Sequence, residues 1–517
     1  MLHWLTRRAM LRHSVAATFG VAGTTLLATC GGAASTPASS ASHATTAASA
    51  SATVAATTVA PSSAATSATS AASTATSATV STATASATSG SASVTSSAVA
   101  TSAAASAPAA KPGAVLVWMS SDSLSISSGQ GAAIMQDFPT AYPGLTLDAV
   151  VQGDIQKFKT QVAGGTPPDM FHTQSYLQTT WGATNIVQPL DTYVAKSKNI
   201  KPNDIWTYKW NEVVWKGKPY AIPYSIDNRV VFVNDDLYRR AGLDPTKPPA
   251  TWTDMEAAVG KTVQKDGTQI KQVGWDPFSG SGGPYTWLVP FWQLGGDFAP
   301  GDGSKVDIAN DMGVTSLEWV GKIYDMQGGY DAIQAYTKAT LSGQKVSYSN
   351  GVALFSHGQA AHVYDTINTK AIVFDQVQNL SYHLAQYPLP PNGKVATYAG
   401  GWAMCIGTGA KNPDGGMAVI DYLYRPDIQI KWAAWQLRVP PSMSVAQSVD
   451  YTHNDPLLKL TVEAMPNGHF VPSVPGGEQI LPILGKMLAD VMQKKATVNA
   501  GLADAQRLCQ IEVDKYK

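Results

Sequence analysis

Residues 113–176 read GAVLVWMSSDSLSISSGQGAAIMQDFPTAYPGLTLDAVVQGDIQKFKTQVAGGTPPDMFHTQSY, and this stretch decides the fold. It contains three short apolar runs, at 114–119, 145–151 and 169–172, that are typical of buried strands in a parallel sheet. Helix-like segments separate the runs, and turns with glycine and proline end those segments. The alternation of strands and helices predicts an α/β protein with a doubly wound sheet.

Small polar side chains follow two of these predicted strands. Ser121 and Asp122 come after the first strand, and Gln174 and Ser175 come after the third. Ligands of open α/β sheets bind beyond the carboxyl ends of the strands, so these four residues are candidate ligand contacts. A helix N-cap is an equally good explanation for the first pair.

The composition excludes several classes of function. Lys and Arg together number 36, as do Asp and Glu, so the formal net charge is zero and no basic block points to nucleic acid. Three cysteines do not form a disulfide framework, and none has the spacing of a metal site. We therefore expect no metal and no cofactor. Cys405 and Cys509 are compatible either with a disulfide or with two buried free thiols.

The first thirty residues have the pattern of an export signal. Arg7, Arg8 and Arg12 form a basic start, and a diluted apolar stretch follows at 14–28. The sequence LATC that ends at Cys30 resembles the lipobox of bacterial lipoproteins. We expect residues 1–30 to be a lipoprotein signal peptide, Cys30 to carry a lipid, and the arginine pair to permit twin-arginine export.

Residues 31–112 consist mostly of Ser, Thr, Ala, Val and Gly and contain no aromatic residue. A chain of this composition buries too little apolar surface to offset its conformational entropy. The composition predicts a disordered stalk that separates the lipid from a folded domain.

The remaining chain contains a series of short motifs: YPG at 142–144, GGTPPD at 164–169, VQPLD at 187–191, GKPYAIPYS at 217–225, VVFVNDDL at 230–237, AGLD at 241–244, PATWTDM at 249–255, FSHGQAA at 355–361, GGW at 400–402 and VPPS at 439–442. In this order the motifs resemble those of the extracellular solute-binding proteins of sugar ABC importers (family 1). That family more often has tyrosine where this chain has Val233.

The resemblance implies a type II periplasmic-binding-protein fold, in which two α/β lobes are joined by a hinge and close around a solute. The projected lobes are residues 113–225 with 397–445 and residues 226–396 with 446–517. The chain would cross between the lobes near 223–227, near 388–395 and again after 440–441.

The resemblance also implies a function without catalysis. The protein would capture a sugar, either a mono- or an oligosaccharide, and deliver it to the membrane permease of an ABC importer as a lipid-anchored, extracytoplasmic monomer. A polyol, glycerol phosphate or another small polar solute is the alternative ligand. A secreted glycoside hydrolase would need two convergent carboxylates, and no catalytic motif surrounds Asp122, Asp227 or Asp365. A lectin-like adhesin would be all-β.

The aromatic residues favour a sugar, because Trp and Tyr present flat apolar faces with a polar edge. The chain has 14 Trp and 20 Tyr but 11 Phe. Trp287 and Phe291 have helical i,i+4 spacing, as do Leu288 and Trp292, so we expect one face of this helix to be core and the other to face the cleft.

Positions at strand ends, at the first crossing and in the family motifs give the candidate ligand-binding residues. For each of them, a helix cap, a surface pair or core packing is the alternative. The candidates are Ser121, Asp122, Gln174, Ser175, Tyr224, Asp227, Trp287, Trp292, Tyr364, Asp365, Trp402 and Arg438.

Overall fold

A computed structural model describes residues 112–120, 125–346 and 348–517. The predicted signal peptide, Cys30, the stalk up to residue 111, Ser121 and Asp122 lie outside the described residues. The described chain forms two five-stranded sheets, each with helices packed against it. This confirms the predicted α/β class.

The first sheet has the strand order β2-β1-β3-β13-β6. β1, β2 and β3 pair in parallel, and β13 runs antiparallel to both β3 and β6. The three strands predicted from the apolar runs are therefore confirmed. The strands are β1 Gly113–Met119, β2 Leu145–Val151, β3 Met170–Gln174, β6 Ile222–Asp227 and β13 Gly400–Cys405.

Burial explains why these strands differ in sequence. β3 is almost entirely buried because it lies in the middle of the sheet, and its residues are not alternately polar and apolar. β2 is the edge strand, and most of its residues after Leu145 are exposed or half-buried.

The second sheet has the strand order β11-β7-β10-β9-β8. β7 is buried at all six residues, with β10 and β11 antiparallel on either side, and Val233 lies within it. The strands are β7 Arg229–Asn234, β8 Gln264–Asp266, β9 Gln269–Trp275, β10 Ala360–Thr366 and β11 Tyr382–Ala385. Two short ribbons complete the strands: β4 Val214–Trp215 with β5 Lys218–Pro219, and β12 Thr397–Tyr398 with β14 Gly468–His469.

The helices of the described residues fall into two groups along the chain. Six helices come before β7, the first strand of the second sheet, in the described sequence. They are α1 Gly129–Ile134, α2 Phe138–Ala141, α3 Ile155–Ala163, α4 Gln178–Ala183, α5 Asp191–Val194 and α6 Thr207–Asn211. The later ones are α7 Asp235–Arg240, α8 Trp252–Thr262, α9 Leu288–Gln293, α10 Asp311–Gln327, α11 Tyr330–Thr340, α12 Asn350–Ser356, α13 Thr369–Ile372, α14 Pro413–Leu423, α15 Pro426–Gln436, α16 Met443–Ala446, α17 Val449–Thr452, α18 Pro456–Ala464, α19 Gly477–Met492 and α20 Val498–Asp514.

Two of the motifs are helix starts. Asn234 ends β7 and caps α7, since its side-chain oxygen accepts a hydrogen bond from the Leu237 amide. Thr251 and Asp254 form a capping box at the start of α8. Local hydrogen bonding therefore accounts for the polar residues in these two motifs.

Each sheet has its own core. The first is built around Val115, Ile222 and Met404 with α14 and α15, and the second around Val231, Trp275 and Trp287 with α10, α19 and α20. Cys405 lies on the first sheet and Cys509 in the second core; both are buried free thiols, so the structure excludes their pairing.

The chain passes from the first sheet to the second at Asn228, between β6 and β7. β6 continues to Asp227, two residues beyond the projected boundary at 225. Val439, which lies next to the projected crossing after 440–441, pairs with Ile226 through two backbone hydrogen bonds of 3.1 Å, so this segment lies beside the end of β6. The other projected lobe boundaries stay predictions.

Within the described ranges, no helix combines the length and the apolar character needed to cross a bilayer.

Candidate functional site

A cavity of about 540 Å³ lies between the two sheets, and we call it the interlobe cavity. Side chains from both lobes and from the crossing segments line it. Its polar and aromatic lining includes Gln174, Tyr176, Asp227, Arg229, Tyr285, Tyr348, Ser349, Asp365, Asn368, Tyr398, Trp402, Arg438 and Phe470. A cavity of this size suits a small organic ligand.

Asp227 and Arg438 form an ion pair in the wall of this cavity. Asp227 is the last residue of β6, and Arg438 follows the left-handed Leu437 that ends α15. Both side chains are largely buried, and the Nε atom of Arg438 has no hydrogen-bond partner among the described residues. The pair therefore joins the end of β6 to the segment that follows α15.

Arg229 provides a second guanidinium. Its Nη1 donates to the Tyr398 carbonyl oxygen at 3.2 Å, and the group lies 4.1 Å from the centre of the Tyr398 ring. The guanidinium is therefore within cation–π distance of the Tyr398 ring. Its Nε atom also lacks a partner in the described part of the chain.

Asp365 organises the second-lobe wall. Its carboxylate accepts hydrogen bonds from the Ser281 amide at 2.8 Å, the Ser349 hydroxyl at 3.0 Å and the Thr369 hydroxyl at 2.9 Å. The Thr366 amide donates to the same carboxylate at 2.7 Å. With these donors in place, the carboxylate fixes three loops around the cavity.

Trp402 is a half-buried aromatic surface of the first lobe. Its ring stacks on His172, with ring centres 5.2 Å apart, and its indole nitrogen has no partner among the described residues. Burial and the nearby Arg438 charge lower the pKa of His172 to about 3, so the imidazole is neutral. Trp402 also lines the interlobe cavity.

Tyr348 and Ile372 line the cavity from the second lobe, and sequence reasoning missed both. Tyr348 is 48% exposed and Ile372 is 46% exposed, so both are exposed large hydrophobic residues among the described lining of the cavity. Tyr348 stands in a loop before α12, where no periodic pattern marks which way a side chain faces.

The structure brings five of the predicted residues together around the cavity and places five others elsewhere. Gln174, Asp227, Asp365, Trp402 and Arg438 line it. Their contact with a ligand stays a prediction. Ser121 and Asp122 are outside the described residues; the adjacent Ser120 hydroxyl lies 2.9 Å from His172 Nδ1.

Ser175 lies beneath the cavity wall instead of facing the cavity. Its hydroxyl donates to Glu212 at 2.6 Å and receives a hydrogen bond from Lys209 at 2.9 Å. Lys209 and Glu212 form a buried ion pair, in which both side chains are almost inaccessible to water. Ser175 is therefore committed to a buried polar cluster.

Tyr224 and Tyr364 are core residues. Tyr224 packs in the first core between His172 and Trp432. Tyr364 is 1% exposed, and its hydroxyl accepts a hydrogen bond from the Tyr398 amide at 3.2 Å. Both supply apolar contact behind the cavity wall.

The expectation that one face of the helix around Trp287 looks into the cleft is wrong. Trp287, Leu288 and Phe291 are fully buried, because the segment is covered on all sides in the second core. Trp292 is also nearly buried and stacks on His469, so it lies behind the cavity wall.

The cavity can hold a neutral polar molecule. Two arginines and two aspartates are the charged residues among its described lining, so the formal charges cancel. The described residues contain no cluster of His, Cys, Asp and Glu that would hold a metal ion. Asp227 is ion-paired with Arg438, and both carboxylate oxygens of Asp365 accept hydrogen bonds from protein donors.

Two α/β lobes with a polar cavity between them define a solute-binding protein. The chain belongs to the family of bacterial extracellular solute-binding proteins, whose family model matches residues 125–430. The resemblance seen in the sequence is thereby confirmed. Membership implies a location outside the cytoplasm.

Three similar proteins illustrate the range of the family and fold. A binding protein of Brucella abortus (strain 2308) is 24% identical over 385 residues, which cover 72% of this chain and 87% of the relative. The cyclic α-maltosyl-1,6-maltose binding protein of Arthrobacter globiformis is 20% identical, with a TM-score of 0.64 over 78% of this chain and 100% of its own. The sugar-binding protein MalE of Xanthomonas citri has the same identity and TM-score over 78% of this chain and 98% of its own. The two structural likenesses show a shared two-lobed fold.

Proposed function

We propose that this protein captures a sugar in the interlobe cavity and delivers it to an ABC importer. The observation that carries the proposal is a cavity of zero formal charge that combines exposed aromatic surface with polar side chains from both lobes. Both of the solved structures described above belong to proteins named for sugar binding.

The lining matches the two kinds of surface on a sugar. A sugar ring has apolar C–H faces, which pack on aromatic rings such as Trp402 and Tyr348. Its hydroxyls need donors and acceptors, which Gln174, Arg438 and Arg229 supply at the wall. A sugar hydroxyl that loses its hydrogen bonds to water on binding weakens the complex unless such partners replace those bonds.

Capture would act through the two lobes. A ligand that touches Trp402 in the first lobe and Tyr348 in the second makes its full set of contacts only when both surfaces are close. Such a ligand therefore binds the closed state more tightly than the open state, and this difference in affinity shifts the population toward the closed state. The closed form would be the one presented to the permease.

A polyol or another small neutral solute is compatible with the same lining. Glycerol phosphate is disfavoured, because Asp227 neutralises Arg438 and Asp365 balances Arg229 in formal charge. A phosphate would need positively charged hydrogen-bond donors whose charge is not cancelled by a nearby carboxylate. Glycoside hydrolysis is disfavoured by the committed carboxylates, and we propose that the protein is not an enzyme.

A thermal-shift screen of the purified protein tests the proposal. Mono- and oligosaccharides are compared with polyols, glycerol 3-phosphate and amino acids at equal concentration. At least one sugar is expected to raise the melting temperature, since a ligand that binds the folded state stabilises it. A shift with amino acids or glycerol 3-phosphate alone contradicts the proposal, and product release from an oligosaccharide would show an enzyme.

We also propose that a lipid on Cys30 tethers the protein and that residues 31–112 form the stalk. The basic start, the apolar stretch and the LATC sequence support this anchoring. Mass spectrometry of the mature N-terminus tests it: a diacylated N-terminal cysteine is expected, and an unmodified Cys30 within an intact leader contradicts it.

A further inference from the structure

The second lobe has a cavity of its own beside the interlobe cavity, and we call it the side cavity. Its volume is about 390 Å³, and its walls are formed by the loop after β9, the loop before α12, and helices α11 and α19. Two loops that are hydrogen-bonded to each other lie between the two cavities, since the Gly351 amide donates to the Ser279 carbonyl oxygen at 2.9 Å. The side cavity is therefore a separate space.

One buried carboxylate dominates the charge of the side cavity. Asp276 is 3% exposed and is the charged residue among the described lining. It accepts hydrogen bonds from three neutral donors of the described chain: the Phe278 amide at 3.1 Å, the Tyr324 hydroxyl at 2.6 Å and Gln334 Nε2 at 3.1 Å. No Lys, Arg or His of the described ranges forms an ion pair with it. Its negative charge therefore has no counter-charge among these residues.

Burial makes this negative charge costly. It raises the pKa of the Asp276 carboxyl, although the three hydrogen bonds act in the opposite direction. Buried charges are usually paired with an opposite charge, because their removal from water is expensive. A carboxylate has about four acceptor positions. The three donors use two positions on Oδ1 and one on Oδ2, so Oδ2 can accept a further hydrogen bond.

Aromatic rings lie beside this carboxylate. Phe278 and Tyr330 line the side cavity and are half-buried. Both rings contact Tyr324, with ring centres 5.6 Å and 5.1 Å apart. An aromatic face attracts a cation, and its apolar surface packs on alkyl groups. Burial raises the pKa of Tyr330, and the charges of Asp276 and Asp331 raise it further, so the electrostatic potential at this ring is negative.

An organic cation suits this lining better than a metal ion. Ca²⁺ and Mg²⁺ take about six or more oxygen ligands, and no metal-binding group of His, Cys, Asp and Glu occurs within the described ranges. One carboxylate next to aromatic rings instead matches an ammonium group that carries an alkyl chain. Tyr348 and Asn350 also line the side cavity and are exposed, which gives a ligand access from solvent.

We propose that the side cavity binds a small primary alkylammonium ion. The ammonium group pairs with Asp276 and donates a hydrogen bond to its Oδ2 atom, and the alkyl chain lies against Phe278 and Tyr330. Gly485 and Ala489 are the α19 residues in the wall, and their small size leaves room for the chain. The inference goes beyond the proposed function and does not depend on which solute the interlobe cavity captures.

Calorimetric titration of the purified protein with butylammonium chloride tests the inference. The controls are butan-1-ol, which has the same alkyl chain without the charge, and potassium chloride at equal ionic strength. Butylammonium is expected to bind at least tenfold more tightly than butan-1-ol, and potassium chloride is expected to give no saturable binding. The inference is overturned if butylammonium does not bind saturably, or if either control binds equally well.

Two variants locate the site. Asp276→Asn keeps the size of the side chain and removes its charge, whereas Ala489→Leu fills the cavity from α19 and leaves the charge in place. Each variant is expected to lower the affinity for butylammonium at least tenfold. Thermal unfolding shows that each variant is folded before its affinity is compared.

Asp331→Asn is the matched control, because Asp331 is exposed on α11 and lies outside the described lining of the side cavity. This variant removes a nearby negative charge and is expected to change the affinity by about twofold or less, since exposed charges interact weakly. Binding that survives in both site variants, or that falls equally in Asp331→Asn, would place the cation elsewhere and overturn the inference.

Discussion

Asp227 at the end of β6 is ion-paired with Arg438 on the neighbouring return segment, and the pair lies in the wall of the interlobe cavity. The backbone hydrogen bonds between Ile226 and Val439 fix the two segments next to this pair. The ion pair therefore holds the end of β6 to the segment after α15 within the wall of the cavity.

Asp227→Asn is expected to reduce both stability and sugar affinity. It leaves the largely buried Arg438 charge without a partner, and breaking a buried pair costs about 3 kcal/mol or more. Urea unfolding measures the stability, and calorimetry is expected to show at least a tenfold loss of affinity.

Asp427→Asn is the control for that change, since the Arg425–Asp427 pair is exposed. An exposed pair is worth about 1 kcal/mol or less. If the two variants lose the same free energy of unfolding and the same sugar affinity, the Asp227–Arg438 pair contributes no more than an exposed ion pair.

Gly401 is expected not to tolerate a side chain. Its φ is 155°, and a Cβ atom there would lie 2.2 Å from the Ser225 carbonyl oxygen of the paired strand β6. Gly401→Ala must therefore separate β13 from β6 and shift the adjacent Trp402. We expect a stability loss of about 2 kcal/mol or more together with weaker sugar binding.

The control for this glycine is Gly321, which lies inside α10 with no atom within 4 Å of an added Cβ. Gly321→Ala is expected to stabilise the protein by roughly 0.5–1 kcal/mol, because alanine favours a helix interior. Thermal unfolding compares the two variants, and a stable Gly401→Ala protein with normal binding would contradict the close packing of β13 on β6.

Two buried histidines predict a loss of stability in acid. Burial lowers the pKa of His172 to about 3 and that of His362 to about 4. The unfolded chain binds these protons below about pH 6.5, whereas the folded chain does not. Each histidine therefore stabilises the fold fully above pH 6.5, and this contribution falls as the pH drops toward the folded pKa.

The measurement is the free energy of unfolding at pH 7.5 and pH 5. From pH 7.5 to pH 5, the free energy of unfolding is expected to fall by about 2 kcal/mol less in His172→Gln than in the wild type. His453→Asn, at an exposed left-handed position, is the control. An unchanged pH dependence in His172→Gln would contradict the neutral, buried imidazole.

Cys405 and Cys509 are expected to be reduced and unreactive in the folded protein. Both are buried, and burial raises the pKa of the Cys509 thiol to about 12 and that of the Cys405 thiol further. Alkylation followed by mass spectrometry should leave both unmodified in the native state and modify both after unfolding. A disulfide between them would contradict the placement of the thiols in separate cores.

Much of the fold follows from the sequence because its signals are local. The apolar runs that became β1, β2 and β3 carry their own strand pattern, and Thr251 with Asp254 specifies the start of α8 within four residues. Asp227 and Arg438 could be predicted as cavity residues because both lie near projected crossings between the lobes.

The remaining site residues depend on contacts between distant segments. Trp287 and Tyr348 are both aromatic residues near glycine or serine, yet Trp287 lies in the second core beside α10 and α19, whereas Tyr348 is exposed at the cavity. Ser175 was misplaced because Lys209 and Glu212, three residues apart on α6 and its end, would ordinarily face water. Tertiary packing decides each of these cases.

The most direct test of a sugar held between the lobes is calorimetry on one aromatic variant from each wall, Trp402→Ala and Tyr348→Ala, with Tyr516→Ala as an outside control. We expect the affinity for the tightest-binding sugar to fall at least tenfold in each wall variant and to stay unchanged in the control. Unchanged affinity in either wall variant would contradict a ligand bridging both lobes.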